Sequence, residues 1–130
     1  MVAAAAYAPV PKPRRTILVA DDDPDILDAF TDLLEAAGYE VVPAVSGREA
    51  LELLLRNNRR PSLILLDLKM PERSGYEVLQ AIRDSTTLMS IPVVVVSAYL
   101  GLPPAGAVAW LKKPVPPHVL LTTVDKHIKK

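Results

Sequence analysis

Hydrophobic residues follow two alternating patterns along this chain, short continuous runs and longer stretches with helical spacing. Short continuous runs are typical of strands whose two faces are both covered. The sequence predicts five such strands, at residues 16–20, 39–44, 62–67, 91–97 and 108–111. Pro43 predicts that the second strand ends early or lies at an edge of the sheet, because proline has no N–H to donate.

Stretches with helical spacing separate the predicted strands. The first helix is predicted to start at Pro24, with Asp23 as its N-cap rather than a metal ligand, and to end before Gly38. Two more begin at the capping-box sequences SGRE (46–49) and SGYE (74–77). A last helix is predicted from its inward-facing residues Leu120, Leu121, Val124 and Ile128. Strands that alternate with helices predict an α/β domain whose parallel sheet carries helices on both faces.

Four of the five predicted strands deliver polar side chains to their carboxyl ends: Asp21 and Asp22, then Asp67, Ser97, and Lys112 with Lys113. In an open parallel sheet these ends meet at one edge, where ligands bind. Carboxylates gathered there repel one another, and a hard divalent cation such as Mg²⁺ relieves the repulsion. One carboxylate beside such a cation can attack phosphorus, and a lysine and a hydroxyl can stabilise the transferred phosphoryl group.

Composition limits the classes of function. The 15 basic and 15 acidic residues of the 130-residue chain cancel, which gives no electrostatic reason to expect binding to nucleic acid or membranes. The lack of cysteine excludes disulfides and thiolate metal sites and favours a cytoplasmic protein. No stretch approaches the roughly 20 apolar residues of a membrane helix. Residues 1–13 are rich in alanine and proline, and we predict a flexible arm there, followed by one domain at 14–130.

Four stretches carry a family resemblance: ILVADDDPDIL (17–27), LILLDLKMPERSGYEVL (63–79), IPVVVVSA (91–98) and WLKKPV (110–115). In this order they resemble the receiver domain of two-component response regulators, over residues 16–128. The resemblance implies a flavodoxin-like, doubly wound, five-stranded parallel sheet with strand order 2-1-3-4-5. It also implies a signalling switch that takes a phosphoryl group from a histidine kinase or histidine phosphotransfer protein and then binds a protein target. Such a domain catalyses its own phosphorylation and dephosphorylation without being a dedicated enzyme.

The resemblance implies a role for each acidic residue at the sheet edge. Asp67 would be the phospho-acceptor and a metal ligand. Asp21 and Asp22 would hold Mg²⁺, or Mn²⁺ as the alternative ion, with Asp22 preferred as the direct ligand. The backbone carbonyl of Lys69 would complete the protein ligands.

Four further residues acquire roles through the same resemblance. Ser97 would bond a phosphoryl oxygen, and Lys113, the lysine before Pro114, would pair with the phosphate. Trp110 stands in the place of the family's switch aromatic, which moves inward as Ser97 is drawn to the phosphate; a plain core aromatic explains it equally well. Tyr99 and Lys69 would flank the path of hydrolytic water, so we predict that the bulky Tyr99 slows dephosphorylation.

The connection between the fourth and fifth strands departs from the family pattern. Ser97 and Lys113 are only 16 positions apart, and YLGLPPAGAV (99–108) contains two glycines and a proline pair. These residues disfavour a helix, and the connection is short for a helical crossover. We therefore predict that the helix between these strands is absent or reduced to one turn. Its loss would expose apolar surface on the sheet unless the connection, Trp110 or the arm covers it, and it leaves open whether the usual homodimer forms.

Two other functions stay open at this point. The first is a receiver-like protein-interaction module that is never phosphorylated; the intact Asp22, Asp67, Ser97 and Lys113 argue against it. The second is an aspartyl-phosphate phosphatase of the haloacid-dehalogenase type. That class has a second acid two residues after its nucleophile, where this chain has Lys69.

Overall fold

A computed structural model describes residues 14–56, 60–98 and 104–129 of the protein. The strands are β1 (Thr16–Ala20), β2 (Glu40–Ala44), β3 (Leu63–Asp67), β4 (Val93–Ser97) and β5 (Ala109–Lys112). The helices are α1 (Pro24–Ala36), α2 (Gly47–Arg56), α3 (Gly75–Arg83) and α4 (Pro117–His127). Every predicted strand and helix is present. The predicted arm at 1–13 lies outside the described residues and stays a prediction.

The five strands form one parallel sheet with the order β2-β1-β3-β4-β5, which confirms the topology that the family resemblance implied. The central strands β1, β3 and β4 are buried along their whole length. The edge strands β2 and β5 are mostly half-buried. Pro43 lies in the edge strand β2, as predicted. Its missing N–H therefore does not interrupt the hydrogen bonds between the central strands.

Helices cover both faces of the sheet because successive strand side chains point to opposite faces. One apolar layer joins β1, β3 and β4 to α1 and α4, through residues that include Ile17, Leu65, Val94, Phe30 and Leu120. The other joins the same strands to α2 and α3, through residues that include Leu18, Leu66, Val95, Leu54 and Val78. Each such side chain contributes about 1.5–3 kcal/mol by burial, so the two layers hold the carboxyl edge of the sheet rigid.

The helix caps follow the sequence prediction. Asp23 caps α1, because its Oδ1 accepts hydrogen bonds from the backbone N–H groups of Asp25 at 2.9 Å and Ile26 at 3.4 Å. The Ser46 hydroxyl accepts from the N–H of Glu49 at 3.1 Å at the start of α2. Asp23, the third of the three consecutive aspartates, therefore serves as the N-cap of α1.

The connection between β4 and β5 contains no helix at the residues that are described there, 98 and 104–108; residues 99–103 lie outside the description. Gly106 has a φ of +98° in a turn that precedes β5. The sheet beneath is not exposed: Val93 and Val95 are 1% and 0% accessible, and Trp110 and Ala107 pack against their apolar layer. The side chain of Trp110 thus takes over part of the covering that a helix would supply.

Candidate functional site at the carboxyl edge of the sheet

Strand register brings the polar strand ends together. The pairing of β1 with β3 aligns Ala20 with Leu66, so that the next residues, Asp21 and Asp67, follow at the same edge. On the other side, β4 pairs with β5 so that Ser97 aligns with Lys112, and the backbone N–H of Lys113 donates to the carbonyl oxygen of Ser97 at 2.9 Å. The positions of these groups are therefore set by backbone pairing and not by flexible loops.

Three carboxylates form the acidic cluster of the site: Asp21, Asp22 and Asp67 each place an oxygen within 4.8 Å of the other two. Asp21 and Asp67 are 2% and 5% accessible, whereas Asp22 is exposed to solvent. Oxygen ligands lie about 2.0–2.1 Å from Mg²⁺, so opposite ligands of one ion are about 4.2 Å apart. The cluster therefore fits a hard divalent cation after small side-chain adjustments, with the open side at Asp22 left for water.

Lys113 is the cation of the site. Its Nζ lies 2.8 Å from Oδ2 of Asp21 and 3.5 Å from Oδ2 of Asp67. Burial alone would lower the pKa of Lys113, but the hydrogen bond and charge of Asp21, followed by Asp67, outweigh it and raise that pKa above 10.5. Lys112 is exposed at the end of β5. The structure therefore places Lys113, and not Lys112, among the carboxylates, as the sequence indicated.

Asp67 ends β3 with a perturbed carboxyl group. Burial and then the charge of Asp21 raise the pKa of Asp67 to about 6, while Lys113 and the backbone N–H of Lys69 act in the opposite direction. The N–H of Lys69 lies 3.4 Å from Oδ1 of Asp67, and the side chain of Lys69 is exposed. A divalent cation would act against this rise, lower the pKa of Asp67 and so favour its ionised form. The carbonyl of Lys69 as a metal ligand stays a prediction.

Ser97 ends β4, the strand next to that of Asp67, and Trp110 lies on β5, one strand further away. Ser97 is 1% accessible and ends β4 next to Val96, which pairs with Asp67. Trp110 is partly buried in β5, and its Nε1 is buried without a hydrogen-bond partner among the described residues. Tyr99 lies outside the description, so its effect on phosphoryl lifetime stays a prediction, as does the switch role of Trp110.

Gly75 is a residue of the site that was not predicted from the sequence. A Cβ at this first residue of α3 would lie 2.1 Å from the carbonyl oxygen of Asp67, so only glycine lets the helix approach Asp67 so closely. The available signal was a poor helix former directly after the capping serine of SGYE.

A model of the family described as "Response regulator receiver domain" matches residues 17–125. The chain therefore belongs to the response regulator receiver family. Among its relatives, the polar-differentiation response regulator DivK of Brucella anthropi is 32% identical over 120 residues, which cover 88% of this chain and 96% of that protein.

Solved structures show the same fold. The chemotaxis response regulator CheY4 of Vibrio cholerae superposes with a TM-score of 0.81 at 30% identity, over 89% of this chain and 100% of that one. A CheY-like receiver domain protein from Methanospirillum hungatei gives a TM-score of 0.79 at 32% identity, over 88% and 93% of the two chains.

Within the described residues of this chain, no helix is long and apolar enough to cross a membrane.

Proposed function

We propose that this receiver domain is a phospho-accepting switch of a two-component system. It takes a phosphoryl group from a histidine kinase or a histidine phosphotransfer protein onto Asp67 in a Mg²⁺-dependent reaction. The phosphorylated domain then binds a downstream protein target. The observation that carries the proposal is the convergence of the partly buried Lys113 with the three carboxylates of the acidic cluster, one of which is Asp67.

The residues of the chain supply most of the chemistry. The ionised carboxylate of Asp67 attacks phosphorus, its O–P bond forms as the P–N bond of phosphohistidine breaks, and the leaving imidazole keeps the electron pair and takes a proton from solvent. Lys113 neutralises charge on the phosphoryl oxygens, and the hydroxyl of Ser97 donates a hydrogen bond to one of them. Asp21, Asp22 and Asp67 would hold Mg²⁺, which would supply further charge neutralisation at the phosphoryl group.

A surface beside the site suits the phosphoryl donor. A groove of about 450 Å³ runs next to Lys113 and has a largely apolar lining, which includes Ile26, Phe30 and Val115. An amphipathic helix of a kinase or phosphotransfer protein buries an apolar face in a groove of this kind. Docking there would bring the donor histidine to the edge of the sheet where Asp67 lies.

We further infer that the chain is not a dedicated enzyme, since Lys69 stands where a haloacid-dehalogenase-type phosphatase has its second acid. A cytoplasmic location rests on the lack of cysteine and stays a prediction. The unphosphorylated interaction module is not favoured, because Asp22, Asp67 and Lys113 are all retained and lie close together.

The test is the mass of the intact protein after incubation with acetyl phosphate, with and without Mg²⁺. We expect a gain of one phosphoryl group that needs Mg²⁺ and is lost in Asp67→Asn. Asp28→Asn, which removes an exposed carboxylate on α1, is the matched control and should be labelled like the wild type. No gain in the wild type, together with no binding of beryllofluoride, would contradict the proposal and support the unphosphorylated module.

A further inference from the structure

The first residue of helix α2, Gly47, packs closely against the segment that follows Asp67. We call residues 68–74 the acceptor loop. A Cβ at Gly47 would lie 2.0 Å from the carbonyl oxygen of Arg73 and 2.7 Å from its carbonyl carbon. Cβ atoms essentially never lie closer than 3.0 Å to other heavy atoms, so any other residue at position 47 would displace the backbone of Arg73 by about 1 Å.

This contact explains why position 47 is a glycine. Gly47 does not have a positive φ, in contrast to Gly38 and Gly106. An alanine would therefore fit the backbone and favour a helix by up to about 1 kcal/mol. The requirement for glycine comes from the approach of the acceptor loop and not from the conformation of α2.

The acceptor loop is held at both ends by glycines at the first positions of helices. Gly75 approaches the carbonyl oxygen of Asp67, and its N–H donates to the carbonyl oxygen of Leu68 at 2.9 Å. Gly47 receives the backbone of Arg73 at the other end. Lys69 therefore lies in a loop that has little freedom to move.

A further contact joins the same two elements. Nη1 of Arg48, the second residue of α2, lies 3.2 Å from Oε2 of Glu72 in the acceptor loop. Both side chains are more than half exposed, so this ion pair by itself contributes little. Glu72 has a φ of +63°, which is unfavourable for a residue other than glycine.

We propose that Gly47 is a positioning residue for the metal site: it admits the Arg73 backbone against α2 and so holds the acceptor loop, with the carbonyl of Lys69, next to the acidic cluster. The inference rests on the proposed function, because it concerns the same cation. It adds that the affinity for Mg²⁺ depends on how α2 packs against the acceptor loop. None of the contacts of α2 described above involves the carboxylates of the acidic cluster.

The test compares two glycine variants in calorimetric titrations with Mg²⁺. Gly47→Ala should weaken Mg²⁺ binding about tenfold or more, the usual effect of losing a group that orients metal ligands. Gly38→Ala is the matched control: its φ of +96° makes alanine strained there, but nothing lies within 4 Å of the added Cβ. This variant should lose stability and keep its affinity within about twofold.

A second measurement does not depend on bound metal. In the absence of divalent cations, the amide resonance of Lys69 should shift in Gly47→Ala and stay in place in Gly38→Ala. Unchanged Mg²⁺ affinity and an unchanged Lys69 resonance in Gly47→Ala would contradict this inference alone. A wild type that does not bind Mg²⁺ would contradict the proposed function, and this inference with it.

If Gly47→Ala does not fold, the wild type decides the question. During a Mg²⁺ titration, the amide resonances of Gly47 and Arg48 should shift with the same midpoint as that of Lys69, because the loop and the first turn of α2 form one packed unit. Resonances of Gly47 and Arg48 that do not respond while Lys69 does would overturn the inference.

Discussion

Lys113 makes its shorter ion pair with Asp21 and its longer one with Asp67, at 2.8 Å and 3.5 Å. Asp21 is almost fully buried, and a buried carboxylate without a partner is strongly destabilising. Lys113 therefore has two functions in this arrangement. It compensates the charge of Asp21, and it holds a cation within reach of the oxygen that would carry the phosphoryl group.

Lys113→Met should lower the free energy of unfolding by about 1–3 kcal/mol at pH 7, because it leaves the carboxylates of Asp21 and Asp67 without their cation. Urea denaturation measures the change. The matched variant is Lys112→Met, which removes the exposed neighbour and should change the free energy by less than about 0.5 kcal/mol. Equal effects of the two substitutions would show that the ion pairs of Lys113 do not stabilise the fold.

Asp67→Asn should stabilise the protein at neutral pH in the absence of divalent cations. Because the pKa of Asp67 is about 6 in the folded state and near 3.9 in an unfolded chain, the folded state holds this proton more tightly. The corresponding stability is fully present below about pH 4 and is lost as the pH rises through 6. Asparagine does not titrate, so the free energy of unfolding of Asp67→Asn should exceed that of the wild type by about 3 kcal/mol at pH 7.5.

Thermal unfolding of both proteins between pH 4 and pH 7.5, with a chelator present, measures this difference. The advantage of Asp67→Asn should shrink toward pH 4, and Asp28→Asn on the exposed side of α1 should show no such trend. A difference that stays constant over this range would mean that the pKa of Asp67 is not raised. Added Mg²⁺ should reduce the advantage, because it stabilises only the protein that retains all three carboxylates.

Trp110→Phe should change the free energy of unfolding by less than about 1 kcal/mol. The substitution removes some packing area, but it also removes a buried N–H that has no partner among the described residues. Trp110→Ala should lose about 2–3 kcal/mol, because the apolar layer over Val93 and Val95 would then be opened. Circular dichroism during denaturation measures both. A phenylalanine variant as unstable as the alanine variant would indicate that the indole N–H makes a hydrogen bond that matters.

Much of the fold could be predicted because the central strands are buried on both faces and are therefore apolar throughout, as in β3 and β4. The carboxyl ends of these strands could be predicted to converge, because parallel pairing places them at the same edge of the sheet. Asp21, Asp67, Ser97 and the pair Lys112–Lys113 were found in this way, without knowledge of side-chain positions, and the family resemblance then selected Lys113.

The remaining features depend on packing between segments far apart in the sequence. The contact of Gly47 with Arg73 spans 26 positions, and only the seating of α2 on the sheet brings the two together. The preference of Lys113 for Asp21 depends on a difference of 0.7 Å between two ion pairs. The packing of Trp110 against the apolar layer that contains Val95 depends on the position of β5 beside β4. Local propensity and periodicity do not indicate which of these distant segments come into contact.

The backbone bond from Lys113 to Ser97 has a consequence for how this chain can vary. Since the pairing of β4 with β5 continues through that bond, the distance between hydroxyl and lysine is set by the sheet and not by the segment that joins the strands. We therefore expect that the length of that segment can change without moving either group. The chemical edge of the sheet and the connection beside it are separate in structure, so a new binding specificity could arise in the connection while Ser97 and Lys113 keep their positions.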